Sequence, residues 1–191
     1  CPRKDIWRMK LFPEYKGSRG GDNDLLIKQC FQMIFQENLF QQGGVQDTLY
    51  HPQLEADDVI ALYTKHLREN EPAAFIHIVT SDTDYLQLLQ DNVELYTLKN
   101  TLLRNSKTFD GNPEKYLFCK CLIGDKSDNI PSAFTKCGQK TADKYWNNKE
   151  IFQQKLQNES IKQQYELNRQ LIDFNYIPKH YLDEFILSLN V

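Results

Sequence analysis

Three acidic groups stand out along the chain: Glu55-Ala56-Asp57-Asp58, Asp82-Thr83-Asp84, and Asp125 with Asp128 in Gly124-Asp125-Lys126-Ser127-Asp128-Asn129. Glu55 and Asp58 are three residues apart, a spacing that puts both on one face of a helix starting near Leu54. Asp82 and Asp84 follow an apolar run, at the C-terminal end of a strand, where open α/β sheets hold their ligands. Asp125 and Asp128 follow the end of a helix. Carboxylates brought to one place repel each other and are driven toward protonation. Divalent cations remove that penalty, and all-oxygen donors suit Mg²⁺ or Mn²⁺. Two such ions about 4 Å apart stabilise both the attacking and the leaving oxygen at a phosphorus centre. Each motif taken singly also reads as a helix cap or a solvated turn. Three of them in this order, each where a regular element meets a loop, point to a metal-dependent phosphoryl chemistry.

The elements that must position these groups follow from periodicity. Residues 1–21 are basic and close on Gly20-Gly21. Leu26, Cys30, Phe31, Ile34 and Phe35 then recur at helical spacing, with Asp22 or Asp24 able to cap the start and Gly43-Gly44 the end. Residues 54–70 form a second amphipathic helix with acidic residues at its N-terminus. After Pro72, residues 73–82 read as a strand buried on both faces, as in a parallel sheet. A short helix over 84–90, strands over 93–98 and 102–109 with a Lys99-Asn100 turn, and a helix over 113–124 come next. A loop from Gly124 opens into another helix, and the tail is helical with an interruption near Pro178. This order predicts an α/β, mainly parallel sheet flanked by helices, followed by a helical part. The division falls at 1–111 and 112–191.

Composition narrows the function classes. The 191 residues suffice for one domain with a sizeable core, and no apolar run approaches the roughly 20 residues of a membrane span. The net charge of −3 is unusual for a phosphate binder, so the placement of charge decides. Five cysteines, with Cys119 and Cys121 inside an apolar run, read as reduced thiols in an intracellular, reducing compartment. His51, His66, His77 and His180 fall in no catalytic arrangement.

The segments "EADDVIA", "SDTDYLQLL" and "GDKSDNIP" resemble the E-A-D-D, D-x-D and G-D-x-S-D-N-I-P signatures of the 5′-nuclease superfamily, which includes flap endonucleases, phage 5′-exonucleases and the nuclease of bacterial DNA polymerase I. "WRMKLFPEYKGSR" resembles that family's segment at the base of a helical arch, and "NRQLIDFNYIP" the stretch that closes the domain. The resemblance implies a PIN-like core with a short arch, followed by a helix–two-turn–helix (helix-hairpin-helix-like) element for duplex DNA. It implies that Glu55, Asp57, Asp82 and Asp84 hold one side of a two-ion Mg²⁺ or Mn²⁺ site and Asp125 and Asp128 the other. Asp58 is a ligand, a partner of one, or a helix-end charge. The ions would activate water for attack on the phosphodiester, leaving a 5′-phosphate and a 3′-hydroxyl. Lys16 and Arg19 would grip the scissile phosphate with Arg8 nearby, and Tyr15 is a base-stacking or a packing aromatic. Gly138, Gln139, Lys140 and Thr141 would hold a DNA phosphate at a helix N-terminus, with K⁺ on the same loop.

Two departures qualify the match. Ser132 follows Pro131 where the family has Gly, which implies a rearranged first turn and puts the K⁺ site in question. Two further Asp ligands expected from preceding strands are not in the chain. That reads as truncation, with the first strand missing and weak activity expected of the piece alone. The expected function is a structure-specific 5′-nuclease of replication and repair, acting as a monomer on 5′ flaps, nicks or RNA–DNA primers. The alternative is a DNA-binding scaffold that has lost catalysis, although a scaffold has no need to keep a repulsive carboxylate cluster. A PIN-type ribonuclease is disfavoured by the hairpin element after Asp128.

Overall fold

A computed structural model describes residues 5–18 and 23–189. The elements in chain order are α1 (Trp7–Leu11), α2 (Asn23–Gln36), α3 (Leu39–Gln42), α4 (Ala56–Asn70), β1 (Ile76–Val79), β2 (Val93–Tyr96), α5 (Pro113–Ile123), α6 (Gln139–Asn147), α7 (Lys149–Lys155), α8 (Glu159–Ile172) and α9 (Lys179–Leu189). Among the described residues the sheet has two parallel strands, with Ile76 opposite Val93 and Val79 opposite Tyr96. A short 3-10 helix over Thr83–Leu88 connects them.

Helix α4 begins where its sequence demands. Glu55 is the N-cap in extended backbone, and the Glu55 and Asp58 side chains complete a reciprocal capping box. Val59 and Leu62 on its inner face join Ile78, Leu86, Val93, Leu95, Tyr181 and Phe185 in a first core. A second core gathers Ile6, Tyr15, Cys119, Cys121, Leu122, Ala142, Phe152 and Tyr165. α1 and its loop reach the second core through Ile6 and Tyr15, and α9 returns to the first. The two cores therefore interleave along the chain, and a division between 111 and 112 separates elements by sequence rather than by core.

Several expectations are corrected. The strand at Ile76–Val79 is buried on one face only: Ile78 is buried, whereas Val79 is 61% exposed. Residues 102–109 form no strand. Leu102 makes one antiparallel bridge to Tyr96, and Leu103–Asn105 coils into a 3-10 turn. The tight turn at Thr97–Thr101, with Asn100 at φ 56°, ends the ladder there. The first long helix stops at Gln36, not at Gly43-Gly44, because Asn38 adopts φ 52°, a left-handed conformation that Asn tolerates better than most residues. That helix carries the apolar spacing read from sequence but buries little of it, with Phe31 and Phe35 each about half exposed. The Asp22 cap lies outside the described residues, as does the side chain of Asp24.

Candidate metal centre

Asp57, Asp84, Asp125 and Asp128 line one pocket together with Arg8, Tyr15, Ile130, Leu171, Ile172 and Phe174. Oxygens of Glu55, Asp57 and Asp58 lie within 4.8 Å of one another. Each acidic stretch is held by its own local geometry. Asp82 caps the 3-10 helix, its Oδ1 accepting from Asp84 N at 2.9 Å, and its side chain is exposed and does not line the pocket. The Asp125 loop is closed by paired backbone bonds between Asp125 and Ile130, at 2.9 and 2.7 Å. Gly124, at φ +77°, makes that closure possible: a Cβ there would meet the carbonyl oxygens of Ile130 and Pro131 at 2.5 Å.

A loop from the first stretch of chain docks onto the Asp128 turn. Lys16 N donates to Asp128 O at 2.8 Å, and Asn129 Nδ2 donates to Glu14 O at 2.8 Å. Lys16 itself has φ 54°, a strained conformation for a lysine that its neighbours must hold. Its ammonium reaches Glu55 Oε1 at 2.5 Å and Asp128 Oδ2 at 3.5 Å. Lys120, from α5, pairs with Asp84 and, at 3.0 Å, with Asp125 Oδ2. Two ammonium groups thus bridge carboxylates from different stretches, Glu55 with Asp128 and Asp84 with Asp125.

Arg8 is corrected as a DNA contact. It is 1% exposed, and its guanidinium donates to Leu171 O at 2.7 Å, to Glu55 Oε2 at 3.1 Å and to Asp58 Oδ2 at 2.8 Å. Asp58 is fully buried and also accepts from Trp7 Nε1 at 2.9 Å and from Glu55 N at 3.0 Å. Its second oxygen lies 2.7 Å from Arg8. Both oxygens of Asp58 therefore face Arg8, which places it as the anchor behind Glu55. Tyr15 is buried too, its hydroxyl 2.9 Å from Glu55 Oε2 and 3.2 Å from Asp128 Oδ2, so it packs and does not stack on a base.

Electrostatics separate the carboxylates. Burial pushes the Asp57 carboxyl up to about 6, with Asp58 and Glu55 adding to the rise and Arg8 opposing it. Burial also raises Asp125, but the Ser127 hydroxyl and the Lys120 ammonium outweigh it and hold the group at about 2. Burial lifts the thiols of Cys119 and Cys121 to about 11 and 12, which keeps them protonated. The donor set around the pocket fits a hard divalent ion: it is made of carboxylate oxygens from three stretches, one of them driven toward protonation in the absence of an ion.

The hairpin residues sit apart from the pocket. Gly138 is the N-cap of α6, and Gly138, Gln139 and Lys140 are exposed with Thr141 half-buried beside them. Ser132 keeps negative φ, and the left-handed residue of this loop is Lys136, at φ 61°. Arg19 lies outside the described residues. Trp7, Lys120 and Asn168 escaped the sequence reading. Asn168 is buried and ties Cys121 O to Pro131 O through its Nδ2, at 2.9 and 2.8 Å. An Asn in an amphipathic helix gives no signal of such a contact. The one available clue to Lys120 was its place in α5 one turn before Gly124.

Residues 2–114 match the family described as 5′-3′ exonuclease, N-terminal resolvase-like domain. A 5′-3′ exonuclease of Buchnera aphidicola is 34% identical over 143 residues, covering 73% of this chain and 48% of that protein. The DNA polymerase I of Mycobacterium bovis is 34% identical over 150 residues, covering 74% of this chain and 16% of that protein. The chain spans about half the length of the curated 5′-3′ exonucleases it matches. Among solved structures, a bacteriophage T5 flap endonuclease in a pseudo-enzyme–product complex with DNA and metal ions superposes with a TM-score of 0.69 at 18% identity, covering 96% of this chain and 78% of that one. That likeness shows the fold.

Proposed function

Because the chain belongs to the 5′-3′ exonuclease N-terminal domain family, we propose that it serves a divalent-metal-dependent, structure-specific 5′-nuclease acting on DNA. The observation that carries this reading is the convergence of Asp57, Asp84, Asp125 and Asp128 from three separated stretches on one pocket. Glu55 joins them through Lys16, and Asp82 is bound to the backbone of Asp84. Two ions, Mg²⁺ or Mn²⁺, would supply charge neutralisation and water activation there. The chain's own residues do the remaining work. Tyr15 and Arg8 hold Glu55 in place, Asp58 anchors Arg8, and the Asp125–Ile130 closure fixes Asp125 and Asp128. Lys16 and Lys120 pair with these carboxylates, and both suit a substrate phosphate once ions take over their partners.

The substrates that fit this reading are 5′ flaps and nicks, including RNA–DNA primers, in replication and repair. Gly138, Gln139, Lys140 and Thr141 would meet a duplex phosphate at the exposed start of α6, Lys16 and Arg19 would take the scissile phosphate, and K⁺ would sit on the hairpin loop. A monomer in a reducing compartment is consistent with the cysteines, of which Cys119, Cys121 and Cys137 are buried thiols. Among the described residues no helix is long and apolar enough to cross a membrane. The test is cleavage of a 5′-flap duplex with Mg²⁺ against EDTA, using the full protein and its Asp84→Asn and Asp125→Asn variants. Each substitution should lower the rate about 100-fold or more; cutting that survives EDTA would overturn the metal reading.

A further inference from the structure

We infer that His51 is a positioning residue for Glu55, linking helix α9 and the end of the exposed 25–50 segment to the carboxylate centre. The inference rests on the reading of Glu55 as a metal ligand. Between residues 25 and 50 every side chain is exposed except Ile34 and Phe40, which are half-buried. His51 is the first buried side chain after them, at 7% exposure. Its two ring nitrogens have distinct partners. Gln53 N–H donates to Nδ1 at 3.2 Å, so Nδ1 is the acceptor and Nε2 carries the proton. Nε2 then donates to Glu184 Oε2 on α9, also at 3.2 Å. The imidazole packs edge-on against Tyr181 at 5.7 Å, and the Tyr181 hydroxyl accepts from Lys10 at 3.1 Å.

From Gln53 the contacts run without a gap to the site. Gln53 O accepts from Trp7 N at 3.2 Å, and the Trp7 ring donates to Asp58. Asp58 accepts from Glu55 N and from Arg8, and Arg8 in turn holds the Glu55 carboxylate. Leu54, buried beside Trp7 in the first core, fixes the intervening residue. Lys16, which precedes this segment in the chain, also bears on Glu55. Glu55 is therefore met directly by a residue before the segment and indirectly by His51 at its end. An apolar side chain would fill the place of His51 equally well, but it offers no acceptor to set the turn at Gln53, two residues ahead of Glu55.

The experiment is calorimetric titration of Mn²⁺ into the wild-type chain and into His51→Leu, His51→Asn and Glu184→Ala, with urea unfolding of each. His51→Leu should weaken Mn²⁺ binding about tenfold, and His51→Asn, which keeps an acceptor for the Gln53 N–H, should recover most of it. Glu184 is half exposed, so Glu184→Ala should fold, and should weaken Mn²⁺ binding about threefold by releasing Nε2. If His51→Leu does not fold, the Asn and Glu184 variants decide. Wild-type Mn²⁺ affinity in Glu184→Ala and His51→Leu, whatever their stability, would reduce His51 to a packing residue. A wild-type chain that binds no Mn²⁺ would instead sink the metal reading itself, and this inference with it.

Discussion

Two neighbouring regions neutralise carboxylates by opposite means. Behind the pocket, Asp58 is fully buried and held by Arg8, Trp7 and the Glu55 amide. At the pocket, Asp84, Asp125, Glu55 and Asp128 are partly open to solvent and are bridged by the ammonium groups of Lys16 and Lys120. A guanidinium with planar donors, locked by a backbone carbonyl and two carboxylates, cannot be exchanged without exposing a buried charge. An ammonium is a compact point charge on a flexible stem, and a divalent ion can replace it. The difference teaches which acidic residues build the site and which are available to ligands, a distinction that residue type alone does not make.

Breaking the inner region should have the largest effect. Arg8→Met leaves Asp58 buried without its cation and should cost about 3–5 kcal/mol in urea unfolding. The double variant Arg8→Met with Asp58→Leu should recover much of that loss. A loss under about 1 kcal/mol for the single change would show that Asp58 is not locked as described. The outer region should respond differently. Lys120→Met should cost only about 1 kcal/mol without metal, yet Mn²⁺ should bind more tightly because a competing cation is gone. Cleavage of a 5′ flap by the same variant should slow. Weaker Mn²⁺ binding would refute the exchange of ammonium for metal.

The smallest effect sharpens the comparison by pH. Asp57 is raised from 3.8 to about 6, so the folded state binds its proton more tightly than the unfolded state does. The stability this contributes is fully present below the ordinary carboxylate value and is lost as pH rises through about 6. Asp125, held down at about 2, acts in the opposite sense: its contribution is present above the ordinary value and is lost as pH falls through about 2. In metal-free protein the melting temperature should therefore fall by a few degrees between about pH 4 and pH 6.5 through Asp57. Saturating Mn²⁺ should abolish that fall, since a bound ion stabilises the ionised carboxylate. A melting temperature flat across this range without metal would contradict the burial of Asp57.

Local rules made much of this molecule legible in its sequence. The capping box that starts α4, the turn residues after β1, the Pro113 start and Gly124 end of α5, and the Gly138 cap of α6 depend on contacts within a few residues of chain. Spacing alone therefore placed Glu55, Asp84 and Asp125 at element ends. The strand expected over 102–109 failed because apolar residues with β-propensity form a ladder only where a partner edge continues, and the Thr97–Thr101 turn ends that edge after one bridge. Helix α2 shows the converse: its periodicity was right, but whether an apolar face is buried depends on what packs against it.

By itself the sequence determined which acidic residues exist and at which element ends they stand, because caps and turns are decided by near neighbours. Only the tertiary structure decided which of them face a common pocket, that Arg8 is an internal counter-ion rather than a phosphate contact, and that Lys120 comes between Asp84 and Asp125. Those outcomes rest on contacts such as Arg8 to Leu171 and Lys120 to Asp84, which join residues from distant parts of the chain. Charge and burial have no local signature at that range, since the energy of a buried ion is set by whatever the fold brings beside it.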